Sequence, residues 1–320
     1  MRIEMTNIKK AVEILKAGGV VGMPTETVYG LAASVESSAG INSIFETKER
    51  PFFDPLIIHI ASIEQAKAYI KSWPKVCDIL ARKYWPGPVT FILPKSDLVS
   101  DLICSGLDTV GIRMPNHPLA LELINELGHP VAAPSANKFK KTSPTCAQDV
   151  LSEFEDVMVL NGGPCEVGIE STILGIFEKE ICIFRPGMLS QSEIELELKR
   201  NDIEMKVTHK ESPVAPGHLE HHYMPNTPVI TVTQKITSAN TTHIPYELLS
   251  SVSTWTLPKE AALAARQLYS KFRELDQEET SAIIIELSKE QLEDEKFGGI
   301  LNRLIKASSY TLPKELSNKS

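Results

Sequence analysis

The chain has 320 residues, of which 42% are hydrophobic and 23% are charged, and its 41 acidic and 33 basic residues give a formal net charge of −8. This length and composition predict a globular protein with two domains and exclude a disordered or fibrous chain. The acidic balance also excludes a general attraction to nucleic acid or anionic membranes, so a bound anion must be held by a local group of cations or backbone amides.

The first 200 residues alternate between helical and strand patterns. A helix capped by Thr6 ends at Gly18-Gly19, and a strand over 20–23 follows it. Later helices are predicted over 39–48, 62–70, 74–84 and 119–127, with another beginning at Ser143-Pro144, and later strands over 55–60, 89–93, 109–112, 157–160, 172–176 and 181–184. This alternation predicts a mixed α/β domain, to which we assign residues 1–208.

Residues 209–228 contain four prolines and few aliphatic residues, so we predict a linker there. Beyond it, strands over 229–232 and 282–285 alternate with helices over 259–272 and 300–307. That pattern predicts a smaller, Rossmann-like α/β domain over 229–320. The linker histidines His218, His221 and His222 have no carboxylate set or matching ligand pair, so no metal site is expected there.

Neither a membrane span nor a secretory leader is expected. No apolar run reaches about 18 residues, and residues 1–10 lack the apolar stretch of a leader. The five cysteines include no C-x-x-C pair, which disfavours a disulfide framework and a thiolate zinc site. We therefore expect a cytoplasmic protein with reduced thiols and no membrane partner.

Polar residues follow several predicted strands, where ligands bind in α/β proteins, although the sequence has no G-x-x-x-x-G-K-[ST] loop and no dinucleotide-binding fingerprint. Thr27, in the PTETVYG segment after the first strand, fits either a ligand contact or a turn. Lys48 and Arg50 fit either the C-terminal dipole of a helix or a triphosphate. His59, inside PLIIHI, fits either the core or a ligand contact.

Two arginines end apolar strands. Arg113 needs an anionic partner, and the sequence leaves open whether this is an internal carboxylate or a substrate carboxylate. Arg185 also ends an apolar strand and occupies a similar setting. The polar segment 134–143, with three lysines before a predicted helix start, favours a phosphate-binding loop over a solvated loop. Together these segments indicate an enzyme with a phosphorylated, nucleotide-type substrate.

In their order and spacing these segments resemble the threonylcarbamoyl-AMP synthase family in its long two-domain form. They are PTETVYGLA at 24–32, FETKERP at 45–51, DPLIIHI at 54–60, YWPGPVTFIL at 84–93, TVGIRMP at 109–115, APSANK at 133–138, SPT at 143–145, GIESTIL at 168–174, FRPG at 184–187, HYMP at 222–225 and GGILNRLIKAS at 298–308. The resemblance covers nearly the whole chain. It implies a YrdC-like catalytic domain, an open twisted mixed sheet with a concave active-site face, followed by an accessory domain.

The resemblance implies that L-threonine, bicarbonate or CO2, and ATP are converted to threonylcarbamoyl-AMP and pyrophosphate. It assigns L-threonine binding to Thr27, His59 and Arg113, and catalysis to Lys48 and Arg50. The implied ATP site comprises Lys48, Arg50, Asp54, Thr109, Ser135, Asn137, Ser143 and Arg185. Asp54 stands where the family usually has asparagine. His222 and Tyr223 of the linker are implied to act as a lid.

The resemblance also implies Mg²⁺ bound to the triphosphate, and other enzymes that transfer the threonylcarbamoyl group to tRNA. Two further functions stay open. An RNA-binding module is disfavoured by the charge of −8 and by an expected lack of exposed aromatic pairs, so stable tRNA binding is not expected. A maturation factor acting on carbamoyl phosphate is disfavoured by the absence of zinc-finger-type cysteines and by the accessory domain.

Overall fold

The computed structural model describes residues 7–210, 222–233, 244–276 and 279–312, which fall into two compact units. The first unit comprises residues 7–139 and 143–210, and the second comprises Lys140–Thr142 with the described residues from 222 onward. His218 and His221 of the predicted linker lie outside the described residues, so the predicted domain boundaries stay predictions. No helix in the described ranges is long and apolar enough to cross a membrane.

The described part of the first unit contains eight α-helices and ten strands. The helices are α1 (Ile8–Lys16), α2 (Ser38–Lys48), α3 (Ile63–Ala68), α4 (Lys75–Tyr84), α5 (Asp101–Cys104), α6 (Pro118–Leu127), α7 (Ala147–Glu153) and α8 (Gln191–Arg200). The strands are β1 (Val21–Met23), β2 (Gly30–Ser34), β3 (Ile57–His59), β4 (Val89–Pro94), β5 (Thr109–Arg113), β6 (Val131–Ala132), β7 (Met158–Val159), β8 (Thr172–Ile176), β9 (Glu180–Arg185) and β10 (Lys206–His209).

The ten strands form one mixed sheet in the order β10-β9-β8-β4-β5-β3-β6-β2-β1-β7. β3 and β5 run parallel, and their register places His59 opposite Arg113 at the carboxyl ends of both strands. β4 runs antiparallel to β5 and parallel to β8. The sheet confirms the predicted mixed α/β class and brings residues from distant parts of the sequence together at neighbouring strand ends.

The helices contribute one apolar face each to the core. α1 buries Ile8, Ala11, Val12 and Leu15, the positions that a 3.6-residue repeat places on one side. They pack in one cluster with residues of α6, including Leu123. Leu15 is completely buried, which contributes about 1.5–3 kcal/mol to folding through removal of apolar surface from water.

Two local predictions near the N-terminus differ from the structure. The described cap of α1 is Asn7, whose side chain accepts a hydrogen bond from Lys10 N at 3.0 Å, whereas Thr6 lies outside the described residues. Strand β2 begins at Gly30, the last residue of the PTETVYG segment, where no strand was predicted. Its five residues are all buried and are mostly small, so the sequence lacks the alternating pattern by which a half-buried strand is recognised.

The helix predicted to begin at Ser143-Pro144 begins instead at Ala147. Pro144 O accepts a hydrogen bond from Tyr29 N at 2.9 Å, which keeps this segment extended beside the PTETVYG segment. The Asp149 carboxylate then accepts the N–H group of Cys146 at 3.2 Å, which satisfies a backbone donor at the start of α7. The prediction was wrong because a tertiary contact overrides the local serine–proline signal.

The second unit contains a four-stranded parallel sheet in the order β12-β13-β11-β14. Its elements are β11 (Val229–Val232), β12 (Val252–Thr256), α9 (Ala261–Leu275), β13 (Ala282–Glu286), α10 (Lys289–Glu293), α11 (Gly298–Ala307) and β14 (Ser308–Leu312). These parallel strands confirm the predicted α/β class of the C-terminal part. β12 rather than β13 lies at the sheet edge, so the order differs from the 3-2-1-4 order of a Rossmann fold.

Candidate active site

Thr27, His59 and Arg113 meet in one buried group, which we call the arginine cluster. The register of β3 and β5 places His59 opposite Arg113. Arg113 Nη1 donates a hydrogen bond to Thr27 Oγ1 at 2.9 Å. All three side chains are less than 5% exposed. The structure therefore brings together the three residues that the sequence resemblance assigns to one substrate.

Arg113 has an internal carboxylate partner. Its Nη2 lies 2.7 Å from Glu26 Oε2, and both side chains are buried. Glu26 Oε2 also accepts the N–H group of Asn116 at 3.0 Å, and Arg113 Nε donates to Gly87 O at 3.2 Å. Of the two partners that the sequence left open, the structure shows the internal one. A guanidinium has five N–H donors, and Arg113 uses two of them in the hydrogen bonds to Thr27 and Gly87, so donors remain for the Glu26 ion pair and for a substrate carboxylate.

His59 supplies an acceptor beside these donors. Burial, followed by the positive charge of Arg113, lowers the pKa of His59 to about 3, so the ring is neutral at neutral pH. Its Nδ1 lies 3.2 Å from Ile57 O. A carbonyl oxygen can only accept, so Nδ1 carries the proton and Nε2 is an acceptor. Donors and an acceptor in one buried cluster suit a small ligand with both a carboxylate and a hydroxyl group.

Lys48, the last residue of α2, connects that helix to the loop after β6. Its Nζ donates to Ser135 O at 2.6 Å and also to Asn137 O. The side chain is buried, and desolvation, followed by repulsion from Arg50, lowers the pKa of Lys48 well below its ordinary value of 10.5. A charged ammonium has three N–H donors, so Lys48 retains one for an anion after making these two contacts.

Arg50 and Asp54 form a buried ion pair, with Arg50 Nη2 2.9 Å from Asp54 Oδ2. Arg50 Nη2 also donates to Pro55 O at 3.0 Å. Glu49 adopts a left-handed backbone conformation (φ 53°), which ends α2 and starts this turn. Arg50 offsets the Asp54 charge, which reduces the repulsion that an unpaired carboxylate would exert on a phosphate. The role of Asp54 in ATP binding stays a prediction.

Phe52 and Phe53, in the same turn, are 55% and 61% exposed. The expected lack of exposed aromatic pairs is therefore wrong. The Phe52 ring also packs against the buried Phe45, with ring centroids 4.6 Å apart. Exposed aromatic rings can stack on single-stranded bases, so RNA binding needs a direct test.

Ser135, Asn137 and Ser143 lie on one segment, which we call the 135–143 loop. Asn137 and Ser143 are buried. Ser143 Oγ donates to Glu170 Oε1 at 2.6 Å, which fixes the far end of the loop. Lys48 fixes its near end through main-chain contacts to Ser135 and Asn137. These three predicted ATP residues therefore share one segment with two anchors in the first unit.

The lysines of the 135–143 loop do not form the predicted phosphate cradle at a helix N-terminus. Lys138 Nζ lies 3.0 Å from Glu49 Oε1 in an exposed ion pair, and Lys141 Nζ donates to Asn226 Oδ1 at 2.6 Å. The following helix begins only at Ala147. The ammonium groups of Lys138 and Lys141 therefore both contact protein partners.

Arg185 ends β9 and holds the segment before β8. Its Nε and Nη2 both donate to Ser171 O at 3.1 Å, and Nη2 also donates to Ser171 Oγ at 3.2 Å. Ser171 Oγ lies 2.7 Å from Thr90 Oγ1 of β4. All three side chains are buried. Arg185 therefore lies in a buried polar group at the end of β9, as its position in the sequence suggested.

Four buried polar residues of the site were not singled out from the sequence. They are Glu26, Thr90, Glu170 and Ser171. Glu170 and Ser171 belong to the GIESTIL segment, and Glu26 to PTETVYG, so polar residues inside motif segments were the available signal. The sequence did not show that these side chains are buried and paired with Ser143, Arg185 and Arg113.

Of the remaining predicted site residues, Thr109 lies away from the arginine cluster within the first unit, and His222 and Tyr223 belong to the second unit. Thr109 begins β5 and Arg113 ends it, so roughly 13 Å of strand separates them. His222 and Tyr223 belong to the second unit, where their ring centroids are 4.1 Å apart, and Arg303 Cζ lies 5.4 Å from the Tyr223 ring centroid. The roles of Thr109 in ATP binding and of His222 and Tyr223 as a lid stay predictions.

The described residues contain no group of three or more His, Cys, Asp or Glu side chains that could hold a metal ion. His222 is among these residues, whereas His218 and His221 are not. The buried carboxylates Glu26 and Asp54 are both engaged with arginines. The described side chains therefore offer no carboxylate cage for a resident divalent cation.

Family models match nearly all of the chain. A model described as "Telomere recombination" matches residues 13–187, and one described as "Threonylcarbamoyl-AMP synthase, C-terminal domain" matches residues 188–309. The threonylcarbamoyl-AMP synthase of Pyrococcus abyssi is 36% identical over an alignment of 334 positions, which covers 98% of this chain and 97% of that protein. The Bacillus subtilis protein of the same name is 40% identical over 226 residues, which cover 69% of this chain and 65% of that protein.

A solved structure is similar over almost the same extent. The crystal structure of Pyrococcus abyssi Sua5 complexed with L-threonine matches with a TM-score of 0.83 and 33% identity. The match covers 95% of this chain and 96% of that one. The fold likeness therefore includes both the ten-stranded sheet and the C-terminal sheet.

Proposed function

The chain belongs to the threonylcarbamoyl-AMP synthase family, and from that premise we propose that it forms threonylcarbamoyl-AMP and pyrophosphate from L-threonine, bicarbonate or CO2, and ATP. The observation that carries the proposal is the buried arginine cluster, in which Arg113 presents donors beside the neutral acceptor His59. The related Sua5 crystal structure holds L-threonine. The cluster offers a matching group for each polar end of that amino acid.

The substrate carboxylate accepts hydrogen bonds from the remaining donors of Arg113. His59 Nε2 accepts a hydrogen bond from the substrate hydroxyl, while Thr27 Oγ1 holds the guanidinium in place. Burial supports this assignment, because charge-assisted hydrogen bonds are stronger away from bulk water. The hydroxyl contact also distinguishes L-threonine from L-valine, since an apolar analogue would leave His59 Nε2 unpaired.

The reaction then proceeds by nucleotidyl transfer. The amine of L-threonine bonds to CO2 and loses a proton, which gives a carbamate. A carbamate oxygen attacks the α-phosphorus of ATP, and the bond from that phosphorus to the bridging oxygen breaks, so pyrophosphate leaves. Lys48 and Arg50 offset the charge that builds up on the phosphate oxygens. No covalent intermediate with a protein side chain is required, so catalysis rests on positioning.

The ATP site in this proposal comprises the 135–143 loop with Lys48, Arg50, Asp54, Thr109 and Arg185. Lys48 supports it because the same ammonium fixes the loop and retains a donor for a phosphate. Mg²⁺ enters as part of the MgATP substrate, held by phosphate oxygens and water.

We further propose that the catalytic domain spans 1–208, the linker 209–228 and the accessory domain 229–320, and that the protein acts in the cytoplasm. His222 and Tyr223 are the proposed lid residues. The product is passed to separate enzymes that transfer the threonylcarbamoyl group to tRNA at the adenosine next to the anticodon. The protein itself needs no stable tRNA complex for the proposed reaction.

The test is pyrophosphate release measured with purified protein, MgATP and bicarbonate, with L-threonine present or omitted. We expect release only with L-threonine, and at most weak release with L-valine or L-serine. Filter binding of RNA across a salt series is run beside it, because Phe52 and Phe53 are exposed. RNA binding without L-threonine-dependent pyrophosphate release would contradict the proposed function and favour the RNA-binding alternative.

A further inference from the structure

Asp54, in the first unit, has a buried acceptor atom that no described residue satisfies. Its side chain is completely buried, and Asp54 Oδ1 accepts no hydrogen bond from the residues that the structure describes. A buried carboxylate oxygen without a donor costs free energy, and buried polar atoms in native proteins are nearly always satisfied. Such an atom beside a predicted substrate site indicates a donor that arrives with the substrate.

The turn that carries Asp54 is held by contacts among its own residues. Arg50 Nε donates to Asp54 O at 3.2 Å, and Asp54 N donates to Pro51 O at 3.3 Å. Arg50 Nη2 lies 2.9 Å from Asp54 Oδ2 and also donates to Pro55 O at 3.0 Å. These contacts set the position of the carboxylate and leave its second oxygen, Oδ1, for another donor.

Asp54 lies near both cations that the proposed function assigns to the phosphate groups. It is paired with Arg50. Burial and the charge of Arg50 lower the pKa of Lys48, and the charge of Asp54 acts on that pKa in the opposite direction. When Lys48 is protonated, these three side chains together carry a single net positive charge. That is little charge for a triphosphate, and the carboxylate itself repels phosphate oxygens.

We propose that Asp54 makes the nucleotide site selective for MgATP over free ATP, because Asp54 Oδ1 accepts a hydrogen bond from water bound to the Mg²⁺ of the substrate. Mg²⁺ on a triphosphate usually keeps several waters, which are O–H donors, whereas phosphate oxygens are acceptors. The divalent charge also offsets the repulsion between Asp54 and the phosphates. The inference rests on the proposed function, which places the phosphates of ATP at Lys48 and Arg50.

The test is calorimetric titration with ATP, once in EDTA and once in excess Mg²⁺, without L-threonine and bicarbonate so that no turnover occurs. We expect the wild-type protein to bind MgATP at least about tenfold more tightly than free ATP. Asp54→Asn removes the negative charge and nearly keeps the shape of the side chain. Its Kd for free ATP should therefore fall about tenfold, while its Kd for MgATP should rise because the contact with the bound water is weakened.

Glu49→Gln is the matched control. Glu49 precedes Arg50, and its side chain is 71% exposed in an ion pair with Lys138. This substitution also removes one negative charge close to the site, but solvent and salt screen an exposed charge. We expect the ratio of the Kd for free ATP to the Kd for MgATP to stay within about twofold of the wild-type ratio.

An unchanged ratio of the two Kd values in a folded Asp54→Asn protein would overturn the inference. Equal loss of affinity for both forms of ATP would also overturn it, because Asp54 would then bind another part of the nucleotide, such as a ribose hydroxyl. If Asp54→Asn does not fold, equal Kd values for free ATP and MgATP in the wild-type protein would overturn the inference. A wild-type protein without L-threonine-dependent pyrophosphate release would refute the proposed function instead, and the titrations would still decide the role of Asp54.

Discussion

Replacement of Arg113 by alanine is expected to lower both the free energy of unfolding and kcat/KM for L-threonine. The two effects have different causes and can be measured separately. The substitution leaves Glu26 buried without its cation, and a buried charge stripped of its partner costs about 3–5 kcal/mol in the free energy of unfolding. It also removes hydrogen bonds from a charged donor to the substrate carboxylate, which are worth about 1.5–3 kcal/mol. That second loss corresponds to a fall of about tenfold to somewhat over a hundredfold in kcat/KM for L-threonine.

The double variant Arg113→Ala/Glu26→Gln separates the two effects. Glutamine removes the unpaired negative charge, so the double variant is expected to unfold at a higher urea concentration than Arg113→Ala alone. Its kcat/KM for L-threonine should stay as low as that of the single variant, because neither protein can bind the substrate carboxylate through Arg113. Urea unfolding and steady-state kinetics at saturating ATP give the two values.

Two results would refute this reasoning. If Arg113→Ala retains wild-type kcat/KM for L-threonine, Arg113 does not bind the substrate carboxylate. If the double variant is no more stable than Arg113→Ala, the Glu26 charge is not what Arg113 compensates in the fold. Glu26→Gln alone is the matched control for loss of the acceptor charge with the arginine retained.

Three further predictions concern His59, Lys48 and the second unit. The pKa of His59 is about 3 in the folded protein and about 6.5 when unfolded, so only the unfolded state takes up this proton between these values, and stability falls as pH falls. Between pH 7 and pH 5, His59 should lower the free energy of unfolding, measured with urea, by about 2 kcal/mol, and His59→Gln should remove this contribution. An equal pH dependence of the unfolding free energy in the wild-type and His59→Gln proteins would contradict the prediction. The pKa of Lys48 is lowered, so Lys48 loses its positive charge as pH rises through that pKa, and KM for ATP should rise in the same pH range. Lys48→Arg should abolish this rise in KM. A wild-type KM for ATP that stays constant up to about pH 10 would contradict the binding of ATP by a charged Lys48. Deletion of residues 209–320 removes the proposed lid residues His222 and Tyr223, so pyrophosphate release should fall strongly; full activity in the truncated protein would show that the second unit serves another purpose.

The sequence was sufficient to predict the α/β class and the polar residues at strand ends, because both depend on local patterns. It predicted that His59 lies in one strand and that Arg113 ends another, but not that the two residues lie side by side. Their adjacency depends on the parallel pairing of β3 with β5, with helices α3 to α5 and strand β4 between them in the chain. Such a register is a tertiary property that no local period encodes.

The errors arose where distant contacts replace local signals. Ser143-Pro144 has the local pattern of a helix start, yet Tyr29 and Glu170 hold this segment as an extended loop. Glu26 sits in a polar motif that also fits an exposed turn, and only its pairing with Arg113 shows that it belongs to the site. The contact of Arg273 with Thr142 joins residues far apart in the sequence, so no motif could reveal it.

The most direct test of the proposed function is mass spectrometry of the reaction product. The protein is mixed with MgATP, L-threonine and ¹³C-bicarbonate, and each component is omitted in turn. We predict an ion with the mass of threonylcarbamoyl-AMP that carries the ¹³C label, disappears when L-threonine or ATP is omitted, and loses its label when unlabelled bicarbonate is used. Release of AMP and pyrophosphate without this labelled adduct would contradict the proposed reaction.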